Sequence, residues 1–200
     1  MSGSRRRRRS PEVAEREILA AAEELLRERP FRDLTVDEVM RRTELSRPSF
    51  YVHFRDRHHL VLRVAERFGA EMWSVSECWF DGGGQGELRI REALAGVVAV
   101  FERHGPVLHA LADAATVDNE VELAYQSILQ TFVDATARHI EAEIEAGRIL
   151  PLDAGETARA LCLMNDRYLL TVLGHTPSVA PETVLETLAT IWTRTLYGGS

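Results

Sequence analysis

The sequence predicts an all-α chain of about nine helices, three short ones at the N-terminus and a larger helical body behind them. Three observations predict it. Apolar residues recur at three- and four-residue spacing along most of the 200 residues. No segment shows the apolar–polar alternation of a half-buried strand. Glycine and proline punctuation, including Pro30, Gly105-Pro106, Gly147, Pro151, Gly174 and Pro181, divides the pattern into segments of helical length. No internal repeat is visible.

The elements follow in order. Residues 1–10 carry Arg5, Arg6, Arg7, Arg8 and Arg9 with no apolar stretch behind them. They read as a disordered basic arm and not a secretory signal, so a cytoplasmic protein is expected. From Glu12 a helical stripe of Val13, Ile18, Leu19, Ala22, Leu25 and Leu26 begins, and Pro30 ends it near Arg29. Thr35 and Glu38 have capping-box spacing: the threonine accepts from the Glu38 amide, and the glutamate reaches back. A short helix follows to about Arg42 or Thr43. After Thr43-Glu44-Leu45, Ser46 is the expected N-cap of a third helix over 47–53, with Pro48 in its first turn. Asp56 can cap a fourth helix reaching roughly Cys78. The glycine-rich segment 81–86 is a linker; a phosphate-cradling role would need a strand before it and Lys-Ser/Thr after it. Beyond it the pattern predicts helices over 87–104, 106–116, 119–147, 153–173 and 181–197. The expected organisation is an arm (1–10), an N-terminal helical unit (11–56) and a body (57–200).

Composition narrows the function. At 45% hydrophobic and 28% charged the chain suits a soluble protein, and no run of about 18 apolar residues indicates a membrane span. Net charge is −7, unevenly placed: residues 1–68 sum to +4 and the remainder to −11. An acidic body repels phosphates, so any nucleic-acid contact is confined to the N-terminal part. All 24 basic residues are Arg, from which no function follows. Cys78 and Cys162 lack metal-like spacing and read as small buried hydrophobes. His58 and His59 are adjacent, point about 100° apart on a helix and cannot share one metal. No acid, base, nucleophile or metal set converges, so neither an enzyme nor a cofactor is expected.

The informative stretch is TVDEVMRRTELSRPSFYVHFRDRHHL, Thr35 to Leu60. Two short helices joined by a tight turn and buttressed by longer ones have the form of a helix-turn-helix, which lays its second short helix in the major groove of DNA. Val36, Val39, Met40, Leu45, Phe50 and Phe54 face inward, leaving Arg47, Ser49, Tyr51, Val52 and His53 nearer the outside. Arg47 suits bidentate pairing with a guanine. This stretch resembles the signature of the TetR family of bacterial regulators, through Thr35, Ser46, Phe50-Tyr51, His53-Phe54 and Arg57. The resemblance implies a DNA-binding set that includes Ser46, Arg47, Pro48 and Ser49. It has Tyr51 and His53 on phosphates or neighbouring bases, and Thr35 and Arg57 on backbone phosphates. Arg5 to Arg9 could enter the minor groove or lie along phosphates, with a solubilising tail as the alternative. The family commonly has Ala-Gly in the turn where this chain has Thr43-Glu44; a left-handed Glu44 would cost about 1 kcal/mol.

Two C-terminal segments, Leu161 to Val179 and Thr190 to Gly198, are similar to the EthR-like branch of that family. That similarity implies a ligand-binding and dimerisation body with an apolar, aromatic-lined tunnel. Asn165 lies mid-stripe between Cys162, Tyr168 and Leu169, with Asp166 beside it. A buried amide must meet a backbone group, another side chain, water or a ligand, and the resemblance favours ligand. Phe101, Tyr125, Phe132, Tyr168 and Trp192 stand at helical spacing, with Leu129 and Thr136 on the face of Tyr125 and Phe132. Ala135 stands where the branch is commonly aromatic, so the cavity is expected to be wider there. Leu163, Leu170 and Thr171 oppose the Asn165 stripe, and Leu185, Leu188 and Leu196 flank Trp192. Helices apolar on two faces predict a homodimer through 153–173 and 181–197. The expected function is a repressor of a palindromic operator, released by a small hydrophobic effector. The alternative is an activator or nucleoid-organising DNA binder on the same fold without small-molecule control.

Overall fold

The computed structural model describes residues 10–80 and 86–198. Eight α-helices run in chain order: α1 Pro11–Glu28, α2 Val36–Arg41, α3 Arg47–His53, α4 Arg57–Phe80, α5 Gly86–Ala115, α6 Asn119–Glu145, α7 Ala154–Leu173 and α8 Pro181–Tyr197, with a 3-10 turn at Phe31–Asp33 before α2. Among the described residues there is no strand, and no helix is long and apolar enough to cross a membrane. The arginines of the arm and most of the glycine linker lie outside the described residues.

Local chemistry sets the helix starts. Pro11, Pro48 and Pro181 occupy first-turn positions, where the missing N–H has no partner to lose. Asp118 and Asp153 cap α6 and α7, accepting from the amides of Val121 and Glu156 at 3.0 Å each. Asp56 caps α4 through the His59 amide at 2.8 Å, as expected.

Three expectations need correction, and the conditional cost at Glu44 does not arise. The break predicted at Gly105-Pro106 does not occur, and α5 passes through both residues as one helix. Packing overrides the proline's lost hydrogen bond here. A β-carbon at Gly105 would sit 1.9 Å from the Leu173 carbonyl oxygen, so the glycine admits the end of α7 against α5. Glu44 is not left-handed: Gly147 is the single described residue with positive φ, at 71°. The turn closes instead through Thr43, whose hydroxyl donates to the Met40 carbonyl and accepts from the Leu45 amide, while the Glu44 amide donates to Glu17. The capping box is half-formed. Thr35 accepts from the Glu38 amide, but the glutamate takes the Thr35 hydroxyl and an ion pair with Arg29. Ser46 stands at the N-cap of α3 without capping it; its hydroxyl meets that of Ser49 at 3.0 Å.

One hydrophobic core runs from α1 through α8 without a gap at the start of α4. The most extensive pairings are α4 with α5, α6 with α7 and α5 with α8. The second apolar face expected on the last two helices is partly covered within the protomer. Leu170, Leu188 and Leu196 are buried, leaving Leu163, Thr171 and Ile191 exposed.

Candidate DNA-facing surface and ligand cavity

The N-terminal surface is set by which side of α3 is anchored. Phe50 and Phe54 are fully buried, their rings 5.4 Å apart, and Val39 and Met40 pack beneath them from α2. A helix of two turns held by those residues must turn the others outward. Tyr51 is 52% exposed and Val52 76%. Arg47 is exposed, paired loosely with Asp37 across the turn, 3.1 Å between charged atoms. Both partners are open to solvent, so the pair is screened and exchanges readily for a phosphate or a base edge. Ser46 and Pro48 are exposed beside it, while Ser49 and His53 are half-buried.

Arg57 is placed differently from the expectation of a free phosphate clamp. Its Nη1 donates to the carbonyls of Arg32 and Leu34 at 3.2 and 3.0 Å, and its guanidinium lies 5.0 Å from the Phe31 ring centre. It fastens the connection before α2 onto α4, and any phosphate contact must use its other N–H groups.

The body encloses a cavity with about 1000 Å³ of atom-free space, partly continuous with solvent. Phe101, Tyr125, Leu129 and Phe132 come to it from α5 and α6, with Thr136 one turn further along α6. Cys162, Asn165, Asp166 and Leu169 come from α7, and Trp192 from α8. Tyr168 does not line it. At roughly 100° per residue it points about 120° away from Cys162, outside the arc of Cys162, Asp166 and Leu169; it is half-buried against the core instead. Ala135 is buried but is not part of the lining, so it does not widen the cavity.

The lining missed by sequence reasoning is the whole α4 wall, Ala65, Phe68, Met72, Ser76, Trp79 and Phe80, together with Ile90, Ala93, Leu94, Val97, Leu108 and Leu111 of α5 and Ile128 of α6. The signal was present. Positions 65, 68, 72, 76 and 79 recur at three- and four-residue spacing, which reads equally as ordinary core. The consequence is that the helix leaving the α2–α3 unit is itself a wall of the cavity.

Few polar groups break the apolar lining. The Trp192 indole, which can only donate, gives its Nε1–H to Asn165 Oδ1 at 3.0 Å. That fixes the amide's orientation and commits its oxygen. Among the described residues no hydrogen bond engages Asn165 Nδ2. The Tyr125 hydroxyl donates to Asp166 Oδ1 across the α6–α7 seam. Burial holds the Asp166 carboxyl above the usual carboxylate range, with Tyr125 and Arg167 partly offsetting it. Burial and then the Asp166 charge push the Tyr125 phenol far up. Cys162 lies 3.7 Å from the Thr136 hydroxyl, its thiol pushed by burial up to about 11 and so unreactive at neutral pH. No group of three or more described His, Cys, Asp or Glu residues is arranged to hold a metal.

This arrangement has counterparts. Residues 18–64 match the family described as bacterial regulatory proteins, tetR family. Residues 90–198 match the C-terminal domain of the transcriptional regulator EthR. The HTH-type transcriptional regulator EthR of Mycobacterium tuberculosis is 34% identical, over 98% of this chain and 93% of its own. The regulator of the same name from Mycolicibacterium smegmatis is 29% identical over 98% and 92%. Among solved structures, a TetR-family regulator from Syntrophomonas wolfei superposes with a TM-score of 0.80 at 14% identity, covering 92% of this chain and 95% of that one. NalD of Pseudomonas aeruginosa, the secondary repressor of the MexAB-OprM multidrug efflux pump, superposes at 0.75 with 18% identity, covering 96% of this chain and all of that one. These relatives are regulators and not enzymes. The chain belongs to the TetR family of DNA-binding transcriptional regulators, and its body is of the EthR type.

Proposed function

We propose that this regulator is a cytoplasmic repressor that binds a palindromic operator as a homodimer and lets go when a small hydrophobic molecule enters the body. One observation carries the reading: α4 begins at Arg57, three residues after Phe54 of the helix-turn-helix, and farther on presents Phe68, Met72 and Trp79 to the cavity. A ligand that displaces that wall moves the DNA-facing unit with it. Two recognition helices must match operator half-sites of fixed spacing, so a tilt of α4 lowers affinity for DNA. The ligand must favour the conformation that does not bind, otherwise nothing shifts. Residues 11–56 form the DNA-binding unit in this reading and 57–200 the ligand-binding and dimerisation unit. Dimerisation uses α7 and α8, where Leu163 is 48% exposed and Ile191 37% on a single protomer. The basic arm supplies additional phosphate or minor-groove contact.

The test is fluorescence anisotropy on DNA from the gene's own upstream region, with and without an elongated apolar ligand. The expected result is operator release by the unaltered protein and retention by Leu129→Trp, which fills the cavity. A ligand that saturates the unaltered protein while operator affinity stays constant overturns the repressor-release mechanism. Removing residues 1–9 should flatten the log–log salt slope by about 0.9 for each lost phosphate contact.

A further inference from the structure

The cavity's charge is one-sided. Among the described residues Asp166 is the single carboxylate in its lining, and no arginine or histidine lines it. The carboxylate's one hydrogen bond, from the Tyr125 hydroxyl, occupies Oδ1. Among the described residues no ion pair reaches it, and the charge of neighbouring Arg167 offsets its burial only in part. Setting an acid in an apolar wall without a cation is unfavourable unless the partner comes from elsewhere. Tyr125 contacts it, and Phe132 and Trp192 line the same cavity. Rings of this kind attract a cation by their faces. Residues 69–200 sum to −11, so the body as a whole draws cations and repels anions.

From this juxtaposition we infer that the effector class is a hydrophobic amine, whose protonated nitrogen pairs with the Asp166 carboxylate while its apolar body fills the space among α4, α5, α6 and α8. The inference rests on the cavity being the effector site and adds the chemistry that the effector must carry. Tyr125 acts as the positioning residue: its hydroxyl holds one carboxylate oxygen across the α6–α7 seam and leaves the other for the ligand. An ammonium donates up to three hydrogen bonds and an acid of the same shape donates none when ionised, so the site discriminates by sign as well as by shape. Fatty acids and other carboxylates are rejected by the same group.

Three probes of one shape and different charge test this: phenylbutylamine, phenylbutanol and phenylbutyrate, titrated calorimetrically into the full chain near neutral pH. The amine is expected to bind about tenfold or more tightly than the alcohol, as a charge-assisted contact warrants, and the carboxylate weakest. Asp166→Asn should bring the amine's affinity down to that of the alcohol in the same variant. Asp166→Ser, shorter and uncharged, stands in should Asp166→Asn fail to fold, while Tyr125→Phe, which releases Oδ1, should narrow the amine's preference without abolishing it. Equal binding of amine and alcohol, or a preference that survives in Asp166→Asn, overturns the inference and leaves the effector reading standing. If none of the three binds, both fall.

Discussion

The two functional regions of this chain are built on opposite principles. On α3 Arg47, Tyr51 and Val52 are exposed, and Arg47 is loosely held. Arg47 and Asp37 are 58% and 59% accessible, and what fixes the surface is the buried pair Phe50 and Phe54 behind it. In the body the polar groups are sunk among apolar side chains, locked to one another and shifted in their ionisation. The difference teaches where each function is vulnerable. Contact residues can be removed from the DNA face without disturbing the fold. Almost any change in the cavity wall also alters the protein's stability.

The largest expected effect tests the second half of that contrast. Gly105→Ala puts a methyl group 1.9 Å from the Leu173 carbonyl, which is backbone and cannot rotate away. A loss of about 3 kcal/mol is expected, at the upper end for overpacking, read by denaturant unfolding. An unchanged midpoint would mean that α5 and α7 slide apart freely, and the body would not be a rigid frame. Trp192→Phe comes next. It removes the donor to Asn165 Oδ1 and the indole edge packed on Trp79, ring centres 5.5 Å apart. Leaving a buried acceptor unpaired costs roughly 1–3 kcal/mol, so stability and ligand affinity should fall together. Arg47→Ala is the counterpart on the DNA face. Operator affinity should drop about tenfold, as loss of a bidentate base contact warrants. The melting temperature should stay put, because the ion pair with Asp37 is open to solvent. A shift in melting temperature comparable to that of Trp192→Phe would erase the distinction between the two regions.

The same contrast explains what could be read in the sequence. Short-range signals specify the DNA-facing unit: Thr35 at a cap, Pro48 in a first turn, Phe50 and Phe54 four apart. Its helices accordingly lie where the pattern puts them. Hydrogen-bond partners were less legible, because Ser46 and Glu38 each had two acceptable choices of similar energy and chose a side chain over the backbone. In the body, ten residues read as a pocket wall do gather at one cavity, since a stripe on α6 and one on α7 must face something. Tyr168 fell outside because three residues from Asn165 is a rotation away from Leu169, which a loose stripe does not resolve. The α4 wall escaped notice because Phe68 and Met72 look like core until the space between them and Phe132 is seen. Pro106 misled because a helix interior tolerates proline only when tertiary contacts hold the chain through it, and those contacts come from α7, far away in sequence.

The smallest effect sharpens the comparison by way of protons. His139 is 8% exposed, its ring centre 4.3 Å from that of Trp79 and its Nε2 buried without a partner. Burial lowers its pKa; Glu143 and a Phe80 backbone contact pull upward and Arg148 downward, with burial prevailing. His104, its ring tilted against that of Phe68 with centres 4.8 Å apart, is lowered in the same way against the pull of Glu71. Both rings stay neutral in the folded protein at a pH where the unfolded chain has begun to take up protons. The unfolded state then binds more protons, so stability rises with pH across that interval. It is fully present above the ordinary histidine value of about 6.5 and is lost as pH falls through the lowered folded values. Glu23 and Asp166, raised by burial, act in the opposite sense nearer the carboxylate range. The interval to measure is therefore the one just below the histidine value. His139→Gln should flatten the fall of melting temperature with acidification there while leaving operator affinity at neutral pH unchanged. A slope that persists in full would mean that the buried ring does not resist protonation, and that the body is less sealed against water than its packing implies.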